Sequence, residues 1–446
     1  MDFWIKAAQL VLSLAILITL HEFGHYLTAR LFKIRVEKFY LFFDPWFSLL
    51  KKKIGDTEWG IGWLPLGGYV KIAGMIDESM DKEQMAQPPK EDEFRSKPAW
   101  QRLIVMIGGV TVNVIVGFFI YIAVVAAWGE TVVQNDTLKY GLAVNKEFRN
   151  LDLGLEDGDI ITAVDGEPVE NVRLINIQIF FRGYRNLEVL KPDGTTKQIK
   201  LADDIDDFMW ENDAIMAFTE RFHTVVDTVM TDRDLYKKGV MKGDSIVSLN
   251  GIETPYYHLL QEELSKMEGD SALVELGFYR GDEYMTVDVY ARKDDDRYTL
   301  GFRNKIPHFI NTTKLDYTFG EAIGRGFQKA GWMMHDYTAQ LPLIFTSKGA
   351  QSVGGFGAIG NLFPSAWNWQ TFWTNTAFIS LILAIMNILP IPALDGGHIV
   401  FLLYEMITGK EAPQKVLEYA QLIGFILLIG LFLYANGNDV YRAFFK

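Results

Sequence analysis

The sequence predicts a polytopic α-helical membrane protein with four transmembrane helices, a strand-rich membrane-associated segment after the first, and two small mixed α/β domains outside the cytoplasm. Three observations carry this. Hydrophobic residues make up 49% of the 446-residue chain and gather in four stretches, each near or above the roughly 20 residues that span a bilayer. The sequence between the second and third stretches reads as ordinary soluble protein. Within it a motif occurs twice: Gly154-Leu155-Glu156-Asp157-Gly158-Asp159-Ile160-Ile161 and Gly239-Val240-Met241-Lys242-Gly243-Asp244-Ser245-Ile246, followed in register by Asp165-Gly166 and Asn250-Gly251. Gly-Asp before an apolar strand that closes in a tight turn, twice over, indicates duplicated β-rich domains.

The net charge is -13. Acidic residues are dense between 152 and 296, which argues against nucleic acid, whose binding calls for a basic face, and fits a solvated surface. There are no cysteines. That excludes disulfides, thiolate metal ligands and a cysteine nucleophile, so any metal site must use nitrogen and oxygen.

Residues 1–35 form the first transmembrane segment. The run from Ala7 to Leu20 is apolar apart from Gln9, Ser13 and Thr19, and ends in His21-Glu22-Phe23-Gly24-His25. On a helix His21 and His25 share one face and can hold a single zinc ion. Glu22 is rotated off that face, free to act on water at the metal. Two histidines at a helix end can also serve solubility alone, but ionisable groups at membrane depth are costly and point to function. Asp2 precedes Lys6 and no basic leader region is present, so the segment is expected to be retained.

Arg30, Lys33, Arg35, Lys38 and Lys51 to Lys53 give a positive-inside signal that puts the His25 end at the cytoplasm. Residues 36–76 read as strand-like and aromatic, a hairpin dipping toward the bilayer that protein or a polar cavity must cover. Residues 77–99 are expected as a cytoplasmic loop. Residues 100–128 form the second span, where Gly108, Gly109, Asn113 and Gly117 suit close helix packing. Residues 129–217 and 218–306 hold the two repeats. Residues 307–368 read as an amphipathic, glycine-rich, flexible return to the membrane.

Residues 369–398 carry the third span and its break, Asn387-Ile388-Leu389-Pro390-Ile391-Pro392-Ala393-Leu394-Asp395-Gly396-Gly397-His398. Asp395 is the carboxylate that a two-histidine site lacks. A loop at 399–415 and a fourth span with an external tail at 416–446 complete the chain. Alternation across the membrane then puts His25 and Asp395 at one face and the repeats at the other. His398 is expected to be a non-ligand, and Asp439 and Arg442 an exposed pair.

These motifs resemble the site-2 protease family of intramembrane zinc metalloproteases over essentially the whole chain. The resemblance implies that His21, His25 and Asp395 bind Zn2+, that Glu22 is the general acid and base, and that Asn387 hydrogen-bonds substrate backbone. It implies that Gly67, Gly68, Tyr69, Val70 and Ile72 lie in a membrane-reentrant β-loop that pairs with unwound substrate, and that the repeats are PDZ domains. The implied substrates are single-pass membrane proteins, such as an anti-sigma factor or signal-peptide remnants, cut after ectodomain trimming in a stress response. The implied location is the bacterial inner membrane, with periplasmic PDZ domains and a site near the cytoplasmic side. Two rivals are a PDZ-bearing scaffold or chaperone with an inactive or structural metal, and a metal-dependent transporter. A structural metal needs no Glu22, and tandem PDZ domains with so few spans fit a transporter poorly.

Overall fold

The computed structural model describes residues 2–65, 67–75, 88–294, 297–305 and 312–445. The chain divides into two units, one made of residues 1–129 with 316–446 and the other of 130–315. Of the loop expected at 77–99, the part up to residue 87 lies outside the described residues.

The first unit contains six helices used below: α1 (Asp2–Leu31), α2 (Ala99–Trp128), α3 (Phe319–Gln340), α4 (Trp369–Ile388), α5 (Asp395–Thr408) and α6 (Gln414–Phe445). Among the described residues α1, α2, α4 and α6 are the four long and apolar enough to cross a membrane. Pro98 precedes the first turn of α2, where a missing N–H costs nothing. α2 is the central helix, packed against α1, α3, α4 and α5. Its contact with α1 is backbone on backbone: a Cβ on Gly24 would lie 2.4 Å from the Gly108 carbonyl oxygen. Small residues permit this approach, which gains dispersion energy where lipid offers no hydrophobic drive.

α4 stops before Pro390 and Pro392, and α5 starts at Asp395. The turn between them is tight enough that a Cβ on Gly396 would sit 2.0 Å from the Leu389 carbonyl oxygen. Residues 399–415, expected as a loop, are helical as far as Thr408, where Gly409 takes a left-handed conformation (φ 70°) and ends α5.

Between α1 and α2 lies a four-stranded mixed sheet, β1 (Val36–Leu41), β2 (Leu50–Ile54), β3 (Thr57–Ile61) and β4 (Tyr69–Ile72), in the order β2-β3-β1-β4. The sequence suggested a simple hairpin. The difference arises because the lysine run forms β2, an edge strand hairpinned to β3 through Gly55 (φ 63°), while β1 and β3 pair in parallel. Lysines are common on sheet edges because they oppose further pairing. The opposite edge is β4, antiparallel to β1 with Phe39 opposite Val70.

In the second unit the two repeats build matching corners. Asp165-Gly166 (φ 48° and 82°) and Asn250-Gly251 (φ 51° and 75°) turn two short hairpins, both residues left-handed in each. The aspartate of each Gly-Asp step is buried. Asp159 accepts from the Glu156 N–H and from Lys191 Nζ, at 2.8 and 2.9 Å. Asp244 accepts from the Met241 N–H and from Arg280, at 2.9 and 2.7 Å. The unit opens and closes with a two-stranded ribbon, β5 (Glu130–Val133) antiparallel to β6 (Thr312–Leu315), with Glu130 opposite Leu315.

The C-terminal residues and the glycine-rich return correct three expectations. The expected tail continues α6 to Phe445. Asp439 and Arg442 are not an exposed pair, and the glycine-rich return is organised, with short helices at Ser347–Ser352 and Phe356–Gly360. Asp439 accepts from the N–H groups of Gly355 and Ala358 at 2.9 and 3.1 Å, and Asn438 and Arg442 donate to the Gln351 carbonyl. Polar groups on one helix thus satisfy loop backbone that would otherwise be orphaned.

Candidate active site

α1 stays helical through the histidine motif, so His21 and His25 stand one turn apart with ring centroids 4.9 Å apart. Their Nε2 atoms are 3.3 Å from each other. Asp395, in the first turn of α5, brings Oδ2 to 3.3 Å from His21 Nε2 and 3.4 Å from His25 Nε2. The three residues' donor atoms all lie within 4.8 Å of one another. Asp395 Oδ2 is buried and has no hydrogen-bond partner among the described residues. His25 Nδ1 donates to the Val105 carbonyl oxygen at 2.8 Å, which leaves Nε2 as a lone pair in the neutral ring. The His25 lone pair, the His21 ring nitrogen and a carboxylate oxygen thus converge on one point that a cation can occupy. Two imidazoles and a carboxylate suit zinc.

The site has a back wall made by one face of α2. Val105, Gly109 and Asn113 are spaced by four residues there. A Cβ on Gly109 would lie 2.3 Å from His25 Nε2 and 2.7 Å from His21 Cε1, so the glycine makes room for both rings. The Asn113 amide lies 3.1 Å from His21 Nδ1. Ser380 on α4 donates to the Asn113 carbonyl at 2.8 Å.

The front is a cavity of about 410 Å³. Glu22 lines it together with His21, His25 and Asp395, and Gly68, Tyr69, Val70 and Ile72 line it from the sheet. Tyr69 is fixed by donating to Asp44 at 2.9 Å. Two sequence-predicted residues do not line this cavity. Asn387 is half-buried in the last turn of α4, and Gly67 packs where a Cβ would lie 2.6 Å from the Phe43 ring. His398 lines the cavity but is not among the converging donors.

Sequence reasoning missed the Val105 carbonyl, because a main-chain acceptor leaves no trace in residue identity. It read Gly109 and Asn113 as packing positions. Their spacing of four on a membrane helix, one small and one polar, was the available signal.

The model of peptidase family M50 matches residues 9–431. The Regulator of sigma E protease of Haemophilus influenzae is 26% identical, covering 99% of this chain and 100% of its own length. A putative zinc metalloprotease of Thermotoga maritima is 25% identical over 97% of this chain and 98% of its own length. The Regulator of sigma-E protease RseP of Escherichia coli is 25% identical over 98% of both. With nearly the whole chain matched and a histidine-histidine-aspartate centre at the end of an apolar helix, the chain belongs to peptidase family M50, the site-2-type zinc metalloproteases.

Proposed function

We propose that the protein is an intramembrane endopeptidase that cuts the transmembrane segment of single-pass membrane proteins, such as an anti-sigma factor or a signal-peptide remnant, after their ectodomains have been trimmed. The observation that carries this reading is the shared cavity: Glu22 opens onto the same space as His21, His25 and Asp395, facing the edge of β4. Relatives named for regulation of sigma E support the substrate class.

His21, His25 and Asp395 are the residues that would hold zinc. When bound, zinc acts as a Lewis acid that acidifies water and polarises a peptide carbonyl. Glu22 takes the proton of the attacking water and passes it to the leaving nitrogen. β4 has β1 on one side and, among the described residues, no strand on the other. An unwound substrate segment exposes amides that lipid cannot satisfy, and a free strand edge supplies their partners. Gly68, Tyr69, Val70 and Ile72 are the proposed binding positions. Gly67 shapes the approach to β4, and Asn387 is retained as a backbone contact near the scissile bond.

The two repeats are read as PDZ domains on the periplasmic side of a bacterial inner membrane. Basic residues at the His25 end of α1 and bacterial relatives support that orientation and location. A scaffold with a structural metal would not need a carboxylic acid beside the donors. The test is cleavage of a tagged, truncated single-pass protein by the purified full chain. Zinc-loaded protein that never cuts it would favour the scaffold.

A further inference from the structure

We infer that Asn113 is a positioning residue that holds His21 in the tautomer able to bind metal. The inference rests on the metal reading of His21. Asn113 is fully buried on α2, in the wall behind the histidines. Its Nδ2 faces His21 Nδ1 at 3.1 Å, and its Oδ1 is buried with no partner among the described residues.

A histidine that gives Nε2 to a metal carries its proton on Nδ1. With Nδ2 facing it, two N–H groups would meet and the buried Oδ1 would stay unsatisfied, a double cost for a fully buried side chain. Exchanging the two ends of the amide moves no heavy atom appreciably. Oδ1 then accepts from Nδ1–H, and the buried acceptor gains its donor. The ring is fixed with its Nε2 lone pair toward His25 Nε2 and Asp395 Oδ2. His25 is fixed the same way by the Val105 carbonyl, so both rings are oriented by α2. Ser380 donates to the Asn113 main-chain carbonyl from α4, so the backbone that carries the amide is tied to a second helix.

The alternative is that Asn113 merely fills space. The two roles rank substitutions in opposite order. A carboxylate at 113 still accepts from Nδ1–H and makes the ligand more basic, whereas leucine fills the volume and accepts nothing. The experiment measures zinc affinity of full-length protein in detergent by competition with a chromogenic chelator, with helix content recorded for each variant. Asn113→Leu is expected to weaken zinc by about 10- to 100-fold, the usual effect of removing a ligand's hydrogen-bond partner. Asn113→Asp is expected to stay within a few-fold of wild type. Asn113→Ala replaces the leucine variant if that one misfolds, with the same expectation. Unchanged affinity in the leucine or alanine variant overturns the inference, as does a larger loss with aspartate than with leucine. Wild-type protein that binds no zinc defeats the metal reading itself, a result distinct from either.

Discussion

The Val105 carbonyl accepts the Nδ1 proton of His25 at 2.8 Å, tying the second histidine of α1 to the main chain of α2. One turn on, Gly109 leaves the rings their space, and another turn on, Asn113 meets His21. The histidines are therefore set by a neighbouring helix as much as by their own spacing.

Gly109→Ala puts a methyl carbon 2.3 Å from the present position of His25 Nε2. Zinc affinity is expected to fall at least tenfold, on the order of 1.4 kcal/mol. Alanine is the better helix former, so helix content should hold. Metal content together with circular dichroism checks both.

Glu22→Gln keeps the volume and removes the proton acceptor. Turnover is expected to drop by about 10²- to 10⁴-fold, the usual range for a general base, with zinc occupancy unchanged. Near-wild-type cleavage by this variant would remove Glu22 from the mechanism.

Asp395→Ala removes a donor from the cluster. Zinc occupancy and turnover should fall together, measured by elemental analysis beside the cleavage assay. Full occupancy in this variant would show that Asp395 is not a ligand.

Acid should weaken the second unit through Asp157. Burial by itself would raise this carboxyl, but the His258 hydrogen bond, the Val144 N–H and Arg149 outweigh it and hold it at about 2. A depressed pKa stabilises the fold in full above the unfolded value, about 4, and that contribution is lost as pH falls through about 2. Melting of the full-length protein from about pH 5 down to about pH 2 should show this loss. Asp157→Asn should melt lower at neutral pH and depend less on acid.

The proposed role of the second unit is a size gate that turns away untrimmed ectodomains. β5 and β6 bring the ends of the insert side by side, so a short glycine-rich turn in place of residues 134–311 keeps the ribbon. The gate reading expects this deletion to cut untrimmed substrate. Recruitment by PDZ binding expects even trimmed substrate to be cut poorly, and an active deletion that still rejects the untrimmed form ends the gate reading.

The four long apolar helices and the pairing of His21 with His25 in the candidate donor cluster were legible in the sequence, because apolar length and a spacing of four are local. Asp395 was legible because prolines and glycines mark the break before it. The mixed sheet was not, since a parallel pairing of β1 with β3 depends on which segment crosses which, and the exposed lysines of β2 read as a topology signal. The tail failed for a related reason. Asn438, Asp439 and Arg442 looked like solvent-facing residues, and only the fold shows that they satisfy loop backbone more than eighty residues earlier in the chain.

Where Gly24 meets Gly108, no side chain separates the main chains of α1 and α2. Such a contact has no rotamers to readjust and little space to compress. Bilayers differ in thickness, and helices answer by tilting. Two helices locked main chain to main chain tilt as one body, and His21, His25, Val105 and Asn113 all ride on that body. The histidine pair should therefore keep its geometry in thin and thick membranes alike, leaving Asp395, on a separate helix beyond a proline break, as the member of the donor cluster through which lipid composition can reach the site.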